Sequence, residues 1–138
     1  MIEPWGARPM VDGALLPFAC VARDGAGRHD HVVKARALQC ALSRVCSVCG
    51  EALRRPMAFV ASPAEAADGL FAFPAGHEGC VREAAADPRQ RLGHAERPEH
   101  WELVVIAGFD VVRPTRRGEP VAFRANAVVS REALVVGG

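Results

Sequence analysis

The stretch RVCSVCGEAL, residues 44–53, places Cys46 and Cys49 with two residues between them and follows them at once with Gly50. Thiols at that spacing suit either a metal ion or a redox dithiol. A second pair, His77 and Cys80 in HEGC (77–80), favours the metal. Tetrahedral Zn2+ takes four nitrogen or sulfur ligands, commonly as two close pairs from separate segments. Cys46 and Cys49 fall on a tight turn. There Gly50 can take positive φ and let backbone N–H groups point at the sulfurs. His77 and Cys80, three apart at the start of a helix, emerge on one face near the positive end of its dipole. The expected centre is one zinc held by Cys46, Cys49, His77 and Cys80.

The two pairs are separated by 27 residues. PMAFVA (56–61) and GLFAFPA (69–75) are short apolar runs rich in Phe and Val, divided by SPAEAADG with its turn residues. Read as a hairpin, they return the chain to the knuckle, and the order turn, hairpin, helix gives a treble-clef-like core. Two other readings stay open. Cys46 and Cys49 could form a redox pair, which needs one exposed thiol of low pKa. Cys40 could replace His77 as a ligand, although its place on an apolar stripe suits a core thiol. Four protein ligands leave no open position for water or substrate, which points to a structural centre.

The chain has 138 residues, a length that suits one domain with a modest core and benefits from a metal crosslink. With 50% hydrophobic and 24% charged residues it falls in the folded, water-soluble class. A net charge of +1 gives no field of one sign, so neither nucleic acid nor a membrane surface is implied by the overall balance. The N-terminus MIEPWGARPM lacks the basic and apolar regions of a signal peptide, and ALLPFACVA is too short to span a bilayer. A cytoplasmic location is expected, where five cysteines serve as thiols or metal ligands. Lys34 is the only lysine, and alanine, glycine and valine are abundant, a usage that suits a GC-rich bacterial genome.

The sequence predicts an α+β fold with two β-hairpins and short helices in a single domain, 1–138. It divides into an extended N-terminal arm (1–31), a zinc-binding core (32–92) and a C-terminal hairpin with a short helix (93–138). The arm carries one short apolar strand, ALLPFACVA. From Val32 to Val45, Val33, Ala37, Leu38, Ala41, Leu42 and Val45 recur at helical spacing. HEGCVREAAA reads as a helix ending near Asp87, because Pro88 disfavours helical geometry before it, and Asp87 can cap a further short helix through Leu92. WELVVIAGFDVV (101–112) and EPVAFRA (119–125) read as paired strands, and Ser130 as the cap of a last helical turn, REALVV.

CSVCGEAL, HEGCVREAAA and VVSREAL together resemble a family of small, largely uncharacterised actinobacterial proteins, some of them phage-like. The resemblance covers the region from Cys46 onward and, more weakly, LLPFACVA. After the HxxC helix, ADPRQRLG lacks the Cys-Pro-Phe of that pattern. The resemblance implies a treble-clef zinc protein and no particular activity.

His29 and His31 in RHDH (28–31) lie on one side of an extended segment, and Asp30, His94 or His100 could complete a second, catalytic metal site. The arginine groups Arg54/Arg55, Arg89/Arg91 and Arg113/Arg116/Arg117 could grip phosphates, yet acidic residues lie near each. No GxSxG elbow or phosphate-cradling glycine loop occurs. The expected function is that of a non-catalytic, zinc-stabilised adaptor or binding module with a protein partner. A nucleic-acid-binding treble clef and a metalloenzyme using the histidine-rich segment are the alternatives.

Overall fold

The structure, a computed structural model, describes residues 8–134. The chain enters through a small hairpin of β1 (Met10–Val11) and β2 (Ala14–Leu15), then a 3-10 turn over Phe18–Cys20. These short elements replace the single strand expected for ALLPFACVA. Helix α1 (Lys34–Leu42) follows, with Arg36, Ala37, Cys40 and Ala41 buried. Its inward face is therefore offset from the expected stripe, and Leu42 is 67% exposed.

Strands β3 (Met57–Ala61), β4 (Leu70–Phe71), β5 (Gly76–His77), β6 (Trp101–Val112) and β7 (Ala122–Leu134) form one sheet in the order β4-β7-β6-β3-β5. All of its pairings are antiparallel. Helix α2 (Pro63–Asp68) links β3 to β4, and α3 (Glu78–Ala86) follows β5 directly. Register shifts along β6 and β7, between Val105 and Phe109, bend this ribbon, and the sheet curls into a half-barrel. On β7's outer side, β4 pairs only at Leu70↔Arg124 and Phe71↔Phe123.

Every residue of β3 is buried, because both faces of the sheet are covered. Ala58, Val60, Trp101 and Leu103 pack with Phe18, Cys20, Cys40 and Val81 on one side. On the other, Phe59 stacks on Phe71 with ring centroids 4.3 Å apart and meets Phe109 edge-on at 5.7 Å. Ala37 and Ala41 of α1 close over this second cluster.

Three expectations are corrected here. PMAFVA and GLFAFPA do not form a hairpin: β3 pairs with β5 and β6, while β4 lies beyond β7. The segment read as their turn is helix α2, started by a reciprocal cap. The Glu65 backbone N–H donates to Ser62 Oγ (3.2 Å) and the Ser62 N–H to Glu65 Oε1 (2.9 Å), with Pro63 in the first turn and Gly69 ending it at φ 71°. Asp87 does not start a helix either. It caps a turn by accepting from Arg89 N at 2.9 Å, and the chain then bends at Leu92, φ 47°. Finally, Ser130–Leu134 continue β7 rather than forming a helical turn, since β6 pairs with them as far as Trp101↔Leu134. The rest of REALVV lies outside the described residues.

Candidate metal centre

Cys46, Cys49, His77 and Cys80 present ligand atoms that all lie within 4.8 Å of one another, so the group could hold a metal ion. The knuckle is built by local backbone bonds. Gly50 N donates to Cys46 O (2.9 Å), Cys46 N donates to Glu51 O (2.8 Å), and Val45 bridges Ala52. Gly50 has φ +78°, and a Cβ there would come within 2.7 Å of Phe18 Cδ1, so conformation and packing both require glycine. Phe18 belongs to the 3-10 turn that docks on the knuckle through Phe18 N→Val48 O (3.0 Å) and Ala19 N→Ser47 O (2.9 Å).

The second pair arrives along β5. Register Met57↔His77 and Ala58↔Gly76 lays this strand on β3, and the N–H of Glu78 donates to Pro56 O at 3.0 Å. Gly76 allows the approach: a Cβ there would sit 3.1 Å from Cys46 Sγ and 2.9 Å from Ser47 Oγ. His77 ends the strand and caps α3, which places Cys80 in the helix's first turn.

Backbone N–H groups of Val48 (3.4 Å), Cys49 (3.5 Å) and His77 (3.3 Å) all point at Cys46 Sγ. His77 Nε2 lies 2.9 Å from Ala52 O and must donate to it, which leaves the Nδ1 lone pair facing Cys49 Sγ at 3.6 Å and Cys80 Sγ at 3.7 Å. A tetrahedral ion with Zn–S of about 2.3 Å and Zn–N of about 2.0 Å has N···S edges of about 3.5 Å, so the donor set fits zinc.

Burial pushes the Cys49 thiol up, and burial followed by the nearby Cys46 and Cys49 pushes Cys80 up to about 12. Three clustered sulfurs resist ionising together unless a divalent cation supplies the opposing charge. Cys20 and Cys40 stay outside the group. Both are buried in the core, where desolvation raises their thiols.

The structure does not gather the histidines read as a second metal site. His29 Nε2 faces Val11 O at 2.7 Å and Nδ1 faces Gln90 Oε1 at 3.0 Å, while Gln90 Nε2 donates to Leu15 O at 2.7 Å. His29 thereby fastens the N-terminal hairpin to the turn after α3. His31 is exposed on its loop, His94 pairs with Glu65 and His100 with Glu102. Among the described residues, the Cys46, Cys49, His77 and Cys80 group is the only one of its kind.

The His94–Glu65 pair makes stability depend on pH. His94 Nε2 lies 2.5 Å from Glu65 Oε1, and its Nδ1 faces Leu92 O at 2.8 Å. Burial works against charging His94, but the hydrogen bond and charge of Glu65 outweigh it and hold the pKa above 6.5. A raised histidine contributes stability that is fully present below pH 6.5 and is lost as pH rises through the folded value. Glu65 is likewise opposed by burial, yet its bond to His94 keeps it below 4.5, so its contribution fades only in acid. The melting temperature should therefore fall from pH 6.5 upward, and His94→Gln should flatten that slope. Thermal melts of both proteins across the range check this, and parallel profiles would refute it.

Comparison with protein-family profiles, with curated proteins and with solved structures finds no match to this chain. No helix among the described residues is long and apolar enough to cross a membrane.

Proposed function

We propose that the chain is a non-catalytic adaptor or binding module whose Cys46, Cys49, His77 and Cys80 hold one structural zinc ion in a treble-clef-like core. The carrying observation is the placement of the His77 ring: Nε2 faces Ala52 O, and Nδ1 is turned to the Cys49 and Cys80 sulfurs. The knuckle leading into Gly50 and the helix carrying Cys80 are the parts a treble clef uses, with α2 inserted where that fold has a plain hairpin turn. With four protein ligands the sphere is complete, so the ion knits the knuckle to α3 rather than activating a water.

Metal analysis and cobalt substitution test the assignment. Purified protein should carry about one zinc per chain. Its Co2+ form should show the intense visible absorption of a tetrahedral site with thiolate-to-metal charge transfer, and His77→Ala should alter that spectrum. A protein that refolds to full stability in the presence of a chelator, or an octahedral cobalt spectrum, would reject the proposal.

A further inference from the structure

Two groups of arginines contrast, beside Arg8, Arg23, Arg36, Arg44, Arg91 and Arg97, which lie elsewhere or meet backbone carbonyls and rings. One is paired with carboxylates: Arg82 with Glu132 (2.6 Å) and Glu78 (3.0 Å), Arg131 with Glu102 (3.5 Å), Arg89 with Asp87 (3.0 Å) and Arg28 with Asp30 (2.7 Å). The other, Arg54, Arg55, Arg113, Arg116, Arg117 and Arg124, is exposed and makes no carboxylate contact among the described residues.

The topology collects the second population at one end of the sheet. Arg113 follows the last residue of β6, Arg116 and Arg117 occupy the connection to β7, and Arg124 pairs across the ribbon with Asp110. β3 runs antiparallel to β6 with Met57↔Ile106, so Arg55 and Arg54, just before it, head toward the same end. Leu53 N donates to Arg44 O (2.7 Å), and the Arg44 guanidinium covers the Phe109 ring at 4.7 Å, which ties the knuckle's flank to β6 there.

Two carboxylates of this end, Glu119 and Asp110, bond to uncharged donors. Glu119 Oε1 accepts from the backbone N–H of Thr115 (3.1 Å) and Arg116 (2.9 Å), and Asp110 Oδ2 accepts from Asn126 Nδ2 (2.9 Å). They shape the loop and leave the guanidinium groups free. A chain of net charge +1 thus shows one locally basic end.

We propose that this end, the β6–β7 tip with Arg113, Arg116 and Arg117 flanked by Arg54, Arg55 and Arg124, docks on the phosphate backbone of duplex DNA. The proposal rests on reading the chain as a zinc-stabilised binding module. Guanidinium forks match phosphate oxygens, and a two-stranded ribbon fits a major groove about 12 Å wide. A-form RNA closes that groove to side chains. Single strands are bound by stacking on exposed aromatic rings, whereas Phe18, Phe59, Phe71, Phe73, Phe109, Phe123 and Trp101 are all buried. With no such platform among the described residues, backbone contact favours duplex and predicts little sequence preference.

Fluorescence anisotropy of the zinc-loaded protein with a DNA duplex of about two helical turns tests this across a salt series. Affinity should fall linearly with salt on logarithmic axes. Replacing Arg113, Arg116 and Arg117 together with alanine should lower that slope by about 3, whereas lysine at the same positions should keep it. Arg131→Ala removes a single charge about 26 Å away along the ribbon and should leave the slope unchanged. Circular dichroism and zinc content on the same samples separate the two readings. Folded, zinc-loaded protein that ignores duplex at low salt, or whose slope survives the triple alanine substitution, overturns the docking proposal alone. Binding to polyglutamate in place of DNA, or to duplex RNA more tightly than to DNA, overturns it too. A protein that folds without metal overturns the zinc reading and leaves the DNA result to be judged by the same slopes.

Discussion

Replacing Cys46 with serine is expected to abolish stoichiometric zinc binding and cooperative unfolding together. Cys46 is the fully buried member of the cluster, and its sulfur is the one that three backbone N–H groups address. A serine hydroxyl does not ionise at neutral pH, and its shorter side chain retreats from the position that Cys49, His77 and Cys80 define. Structural zinc sites contribute about 10–16 kcal/mol of apparent binding free energy, against a total stability of about 5–15 kcal/mol for a domain of this kind. Losing most of the first is comparable to the whole of the second, so little cooperative stability should remain. Metal analysis with a circular dichroism melt decides the matter, with Cys20→Ala as a control that should keep its zinc. If Cys46→Ser melts like the parent protein, zinc is not what holds the fold.

Phe59→Ala should cost about 3–5 kcal/mol, because truncating a buried aromatic loses its transfer energy and leaves a cavity. Phe59 is 0% exposed and touches three other rings: stacked on Phe71, edge-on to Phe109 and tilted against Phe123 at 6.3 Å. β3 is covered on both faces, so its neighbours have little freedom to collapse into the space. Urea denaturation of the zinc-loaded variant measures the loss. A change below about 1 kcal/mol would mean that this cluster is not packed as described.

The cluster that could hold a metal ion was legible because its signal is local: two pairs, each with two residues between, need only a turn and a helix start to converge. β6 was legible for a similar reason, since WELVVIAGFDVV is rich in apolar and β-branched residues. Sheet order was not, because β3 pairs with β6 across some forty residues and nothing in either strand names the other. The α2 helix carries a local sign in the sequence, serine followed three residues later by glutamate. SREAL in β7 shows the opposite case. Its residues favour helix, but the length of β6 offers ladder hydrogen bonds that outweigh that preference. His29 gave no sign of its role, since Val11, Leu15 and Gln90 meet it only once the chain has folded.

The short reach of β4 leaves β7 with an open seam from Ala125 to Leu134 among the described residues. Main-chain donors and acceptors along such a seam invite any stray extended chain to zip on, and Val128 and Val129 would reward it with apolar contact. The irregular pleat beside Ile106 and Gly108 and the charges of Arg131 and Glu132 act as gatekeepers against fibre-like growth. Substitutions that straighten or neutralise this margin would therefore reveal themselves first as turbidity in concentrated solution, while the melting temperature stayed where it was.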